Sequence, residues 1–189
     1  IGNLAGQLFR ESGAKVAGMD PSPRRRVLAE KSGFESAFDP VVEGEKLEGV
    51  VRALGGRPRI IVEAVGDATL AFSCMNIAAK GDGSEVILLG SPRKSTPMDG
   101  RDIFSLIHTR GIRMTGAHEG LIPKIPAAPG TPSVEANLAK LIPWIQQEKI
   151  RVDPLISHVM YPAQIKEAYE GLMNRKEEFV GVLLDWSKY

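Results

Sequence analysis

One cysteine, Cys74, stands in 189 residues. An internal disulfide framework is therefore excluded, and so is any cluster of thiolate metal ligands. A reducing, cytoplasmic setting is the expectation. Long apolar runs are also lacking, and nothing approaches the length needed to cross a bilayer, so no membrane partner is expected. Net charge is nearly absent: 24 Lys and Arg stand against 23 Asp and Glu. That balance supplies no global field that would draw nucleic acid or an anionic surface. The three histidines, His108, His118 and His158, lie far apart and none sits in a metal-binding spacing such as H-E-x-x-H. The first residues, Ile1 to Arg10, carry neither the basic start nor the long apolar stretch of a secretion signal, and no Met precedes them.

What is present is an alternation of short apolar runs with amphipathic segments. Asn3–Ser12 reads as a helix ended by Gly13, and Lys15–Met19 as a strand. Pro21–Ser32 reads as a helix with Ser22 at its N-cap and Pro23 in its first turn, ended by Gly33. An extended piece at Ser36–Phe38 and a helix at Gly44–Leu54 follow, the latter closed by Gly55 and Gly56. Arg59–Val65 and Glu85–Leu89 are nearly continuous in apolar character, as strands buried on both faces are. Asp67–Ala79 and Asp102–Thr109 read as helices, and Ile112–Gly116 as a further strand. This order specifies an α/β fold with a mainly parallel sheet. The last third differs. Leu121–Ser133 is proline-rich and reads as a surface loop. Val134–Glu148 is helical with a kink expected at Pro143, and Leu155–Met160, Ala163–Met173 and Phe179–Leu184 read as strand, helix and strand.

In a dinucleotide-binding βαβ unit, glycines after the first strand permit a tight turn and close backbone approach to the pyrophosphate. Gly2 fits the third such glycine, which allows close helix–strand packing. Asp20 ends the second strand, 18 residues after Gly2. A carboxylate there accepts hydrogen bonds from ribose hydroxyls and repels a 2′-phosphate, favouring NAD over NADP. The alternative reading of Asp20 is a turn residue in Asp-Pro-Ser-Pro. Arg24, Arg25 and Arg26 stand close by; a solvated helix face accounts for the run, Arg25 excepted.

Three stretches carry a resemblance. IGNLAGQLFRESGAKVAGMDPSPRRRVLAEKSG resembles the coenzyme-binding start of zinc-type medium-chain dehydrogenases, the alcohol dehydrogenase-like family. IIVEAVGDATLAFSCMNIAAKGDGSEVILLGSP is similar to their fourth strand, next helix and fifth strand, and LISHVMYPAQIKEAYEGLMNRKEEFVGVLL to their C-terminal return. The resemblance implies that Asp20 binds ribose with Arg25 beside it. It places Val65 and Gly66 along the adenine ribose, and Leu89, Gly90 and Ser91 along the nicotinamide. Ala117 and His118 would meet the carboxamide through their backbone. The implied cofactor is NAD, and the implied reaction is hydride transfer between NAD and an alcohol or polyol. The implied fold is a Rossmann-type, doubly wound parallel sheet, and the implied substrate is a small alcohol or carbonyl compound.

The resemblance also implies a division into a dinucleotide-binding domain, 1–118, and a return segment, 119–189, of a GroES-like catalytic domain. In the family that domain precedes the nucleotide-binding one and holds the catalytic zinc, so no catalytic or metal-ligating residue is assigned to this chain. Ile156, Val159, Ile165, Ala168 and Leu172 would pack on it. In the strand order 3-2-1-4-5-6 the first strand is central, and its place lies upstream of Ile1. The chain is accordingly expected to be incomplete at its N-terminal end and poorly stable alone. A homodimer or homotetramer built through the edge around Ile112–Gly116 is expected as well. Two other functions stay open: a zinc-free, NADPH-dependent reductase of quinones or enones in the same superfamily, and a non-catalytic dinucleotide-binding module. Cys74 is assigned to the core. His118 with Glu119 could in principle do acid–base work, and His158 reads as structural.

Overall fold

A computed structural model of the chain describes residues 1–40, 48–81, 83–93 and 95–188. Helix α1 (Gly2–Glu11) leads to β1 (Ala17–Met19), α2 (Pro23–Lys31) and β2 (Ser36–Phe38). Next come α3 (Glu48–Leu54), β3 (Ile60–Glu63), α4 (Ala68–Ile77), β4 (Glu85–Leu88), α5 (Gly100–Arg110) and β5 (Arg113–Gly116). The remainder holds α6 (Val134–Gln146), β6 (His158–Met160), α7 (Ile165–Asn174) and β7 (Val182–Leu184). The expected start of α3 at Gly44 falls outside the described residues. The loop over 121–133 begins in a 3₁₀ turn, Glu119–Leu121, and has no further regular structure.

Every ladder is parallel. β1 pairs with β2, and β3, β4 and β5 pair in that order. β6 pairs with β7 separately. Among the described residues β1 and β3 share no ladder, while α1 packs against both. The parallel pairing puts the carboxyl ends of β3, β4 and β5 side by side: Glu63 registers with Leu88, and Leu88 with Gly116.

Capping decides where the helices begin. Ser22 caps α2, Asp67 caps α4 by accepting from the N–H groups of Thr69 (2.9 Å) and Leu70 (3.1 Å), and Ser133 caps α6. The α5 helix starts at Gly100, two residues before the expected Asp102, because Asp99 accepts from the Arg101 N–H at 2.9 Å. A cap residue followed by glycine reads as a turn in sequence; here it opens a helix. The α6 helix continues through Pro143 to Gln146; the proline withholds the one N–H that would meet the Ala139 carbonyl, and the helix ends within a turn.

The main core lies between α4, α5 and the β3–β5 ladder, with Cys74, Met75, Ala78, Val86 and Ile112 buried at its centre. Two expectations need correction. β3 is not buried on both faces: Ile60 is 45% exposed, and the one described ladder of this strand is with β4. In the last third, Ala168 is buried and Leu172 packs against a local core of Met160, Ala168 and Phe179. Of the five residues expected to pack on a further domain, Val159 (62% exposed) and Ile165 (47%) turn to solvent, and Ile156 is half-buried. Hydrogen bonds among the described residues join this last third to α1 and to both ends of α2. The buried Gln7 on α1 accepts from the Arg151 N–H at 2.7 Å and donates to the Arg151 carbonyl at 3.0 Å. The loop after α7 grips the start of α2.

Candidate nucleotide site

The turn after β3 is built around an acid that the apolar run hides. Glu63 is 3% exposed, and one carboxylate oxygen accepts from the N–H groups of Val65 (2.7 Å) and Gly66 (2.9 Å). Its other oxygen also reaches the Gly66 N–H, at 3.1 Å. A carboxylate costs several kcal/mol to bury unless fixed donors replace its water, and the reversing backbone supplies them here. The Glu63 carbonyl meanwhile accepts from the N–H groups of both Leu89 and Gly90, at 2.9 Å each. One residue thus sets the turn after β3 and ties it to the turn after β4.

Glycines let those two turns interlock. Gly66 has a positive φ of 83°, and a Cβ on it would lie 2.0 Å from the Ser91 carbonyl oxygen. A Cβ on Gly90 would lie 2.1 Å from the Gly66 nitrogen. Four expected site residues, Val65, Gly66, Gly90 and Ser91, are therefore in one contact patch, with Leu89 hydrogen-bonded to Glu63 beside them. Ala117 joins the row through its N–H, which donates to the Leu88 carbonyl at 3.0 Å. Among the described residues, the Val65 and Leu89 carbonyls and the Ser91 N–H have no hydrogen-bond partner within the chain. A row of unpaired backbone groups on a rigid edge suits a planar ligand with amide and hydroxyl groups.

His118 is exposed, and its Nδ1 accepts from the Gly120 N–H at 3.0 Å. That bond places the proton of the neutral ring on Nε2 and uses the side chain to shape the turn. No hydrogen bond joins His118 to Glu119 among the described residues.

Gly2 lies at the opening of α1 against β3, where a Cβ would make ordinary contact with the Ala64 Cβ at 3.4 Å. The glycine of this helix that truly requires a bare Cα is Gly6, where a Cβ would sit 2.1 Å from the Phe34 ring. Asp20 stands at the tip of β1, its N–H continuing the ladder to the Phe38 carbonyl. Its Oδ1 accepts from the Ser22 N–H at 2.9 Å, and its Oδ2 has no partner among the described residues. Of the arginine run, Arg24 donates to the Glu177 and Glu178 carbonyls at 2.7 and 2.9 Å. Arg26 donates to the Asp20 and Pro21 carbonyls and pairs with Asp39 at 3.0 Å. Arg25 alone has no side-chain partner among the described residues.

Residues 1–128 match the family described as zinc-binding dehydrogenase, which is 128 of the 189 residues. The chain belongs to the zinc-binding dehydrogenase family. No curated protein matches the sequence. Among solved structures, the chain is similar to galactitol-1-phosphate dehydrogenase from Escherichia coli, with 21% identity and a TM-score of 0.74, over 97% of this chain and 50% of that one. It is similar to L-idonate 5-dehydrogenase from Escherichia coli, with 17% identity and a TM-score of 0.66, over 91% of this chain and 43% of that one. A short chain alcohol dehydrogenase from E. coli CFT073, complexed with NADH, matches with 18% identity and a TM-score of 0.67, over 91% of this chain and 44% of that one. At these identities the likeness shows the Rossmann-type fold. The chain spans about half the length of the structures it matches.

The family's name carries a metal, but among the described residues no three His, Cys, Asp or Glu side chains are grouped to hold one. Cys74 is a core residue, 6% exposed. Burial, and then the neighbouring Glu63 charge, push its thiol from 9.0 up to about 11. The folded state therefore favours the neutral thiol. Its contribution to stability is complete below pH 9 and is lost as pH rises through about 11. Urea midpoints measured from pH 8 to 11 should fall more steeply for the wild type than for Cys74→Ala. Parallel profiles would contradict this assignment. No helix among the described residues is long and apolar enough to cross a membrane.

Proposed function

We propose that the chain is the NAD-binding part of an oxidoreductase that transfers hydride between an alcohol or polyol and NAD. Residues 1–118 form the nucleotide domain. Residues 119–189 form the return segment of a GroES-like domain that lies, with its zinc and the substrate pocket, outside these 189 residues. The observation that carries this reading is the free carboxylate oxygen of Asp20 at the β1 tip. It stands in one fold with the row of unpaired backbone groups at the β3 and β4 tips. Family membership and the dehydrogenase neighbours support it.

The residues fit the cofactor. Asp20 Oδ2 would accept from the adenosine ribose, with Arg25 beside it. Val65 and Gly66 would face the adenine ribose. The backbone of Leu89, Gly90 and Ser91, with Ala117 and His118 on the next strand, would orient the nicotinamide. Bound NAD supplies the hydride acceptor. What this chain contributes is binding and orientation, by groups held rigid through Glu63 and the interlocked glycines.

Calorimetric titration of the 189-residue protein with NAD and NADP tests the reading. Binding of NAD at least tenfold tighter than NADP is expected, since a carboxylate facing a phosphate costs on the order of 1–2 kcal/mol. Preference for NADP would overturn it in favour of the zinc-free reductase. Binding of neither dinucleotide would overturn it altogether.

A further inference from the structure

The adenosine end of the site has a second acid that comes from the far end of the chain. Ser22 is 5% exposed and sits between two carboxylates. Its N–H donates to Asp20 Oδ1 at 2.9 Å, and its hydroxyl donates to Glu177 Oε2 at 2.7 Å. The loop bearing Glu177 is clamped there by Arg24, whose guanidinium donates to two successive carbonyls, those of Glu177 and Glu178. Both donors that Ser22 could offer to a phosphate are thus already given to carboxylates.

The charges around Ser22 can be counted. Arg26 is neutralised by Asp39 at 3.0 Å. Arg24 and Arg25 remain as cations, with Asp20 and Glu177 as anions against them. These four groups balance, and removing the Glu177 charge makes the set one unit more positive. A ribose hydroxyl is indifferent to that difference, whereas a dianionic 2′-phosphate is not.

We propose that Glu177 is a second specificity-determining residue of the nucleotide site: through the Ser22 hydroxyl it holds negative charge beside the ribose-binding Asp20 and turns away the 2′-phosphate of NADP. This rests on the reading of Asp20 as the ribose acid. It explains how three consecutive arginines can flank the site of an NAD-preferring protein. Two are bound to carbonyls, and the charge of the run is opposed by Asp20, by Asp39 just after β2 and by Glu177 in the loop after α7.

The test is the ratio of NADP to NAD dissociation constants, measured by calorimetry on the 189-residue protein at low salt. Glu177→Gln keeps an acceptor for the Ser22 hydroxyl and removes only the charge. It is expected to tighten NADP roughly five- to tenfold relative to NAD, the effect of one charge near a screened surface, and the gain should shrink as salt is raised. NAD affinity should stay within twofold. Glu178→Gln removes the same charge one residue on, away from Ser22, and should leave the ratio unchanged. A ratio unmoved by Glu177→Gln, or moved equally by Glu178→Gln, would overturn the inference while leaving the NAD site standing. Wild-type protein that binds neither dinucleotide would overturn both.

Discussion

Replacing Glu63 by alanine is expected to lower stability by about 3 kcal/mol, the cost of stranding a buried backbone donor and removing two charge-assisted bonds. Gly66 is buried, so its N–H has no access to replacement water once the carboxylate has gone. Val65 is 65% exposed, and its N–H can be rehydrated. The larger share of the loss therefore falls on Gly66. Glu63→Gln separates geometry from charge: one amide oxygen can still accept from the turn, but the NH2 group then confronts a backbone donor. Its cost should be intermediate, about 1–2 kcal/mol. Urea denaturation gives the stabilities and NAD titration gives the affinities. Both variants should lose affinity even under conditions where they are fully folded, because the turn that lines the proposed ribose site is no longer held. An alanine variant within 0.5 kcal/mol of wild type would show that Glu63 does not organise this turn.

The elements and the site differ in how legible they were, and the difference is physical. Strands β1 to β5 were readable because apolar runs alternate with helices whose caps are local: Ser22, Asp67 and Ser133 each bond within their own first turn. Asp20 was readable for the same reason, as an acid ending a strand at a fixed distance from Gly2. Glu63 is not legible because one acid inside RIIVEAV looks like a break in an apolar run. Its partners are backbone N–H groups, which no residue type announces. A signal did exist: a carboxylate in a buried strand, two and three residues before the turn at Val65 and Gly66, needs donors from somewhere. Glu177 had no such signal. Its hydroxyl partner is 155 residues away, and only the folding of the last third onto α2 brings them together. The glycines divide likewise. Gly66 and Gly90 stand out for their place in a pattern, but that the main chain of the opposing turn fills the space a side chain would need, Ser91 against Gly66 and Gly66 with Val65 against Gly90, is a property of two adjacent parallel strands. Gly6 is not legible because its reason, the Phe34 ring, comes from beyond β1 and α2.

Gly90→Ala should be the most damaging single methyl that can be added to the site. The new Cβ would lie 2.1 Å from the Gly66 nitrogen and 2.6 and 2.7 Å from the Val65 carbonyl carbon and nitrogen. All three are backbone atoms, which cannot rotate aside as the tip of a side chain can. Relief requires the turns after β3 and β4 to separate. That in turn strains the paired N–H groups of Leu89 and Gly90, which both donate to the Glu63 carbonyl. A loss of about 3 kcal/mol or more is expected, at the upper end for overpacking because the obstacle is main chain. Gly2→Ala is the contrasting case. Its Cβ would meet only the Ala64 Cβ, at 3.4 Å, and helix propensity favours alanine over glycine by up to about 1 kcal/mol. That variant should fold at least as well as the wild type. Thermal unfolding of the two proteins side by side makes the comparison, and NAD titration below their transitions tests the site. Gly90→Ala should bind NAD at least tenfold more weakly while Gly2→Ala keeps most of the affinity. If Gly90→Ala binds normally, the unpaired backbone groups at the β4 tip do not form the nicotinamide end of the site. If Gly2→Ala proves the worse of the two, the tight approach lies at the opening of α1 and not between the strand turns.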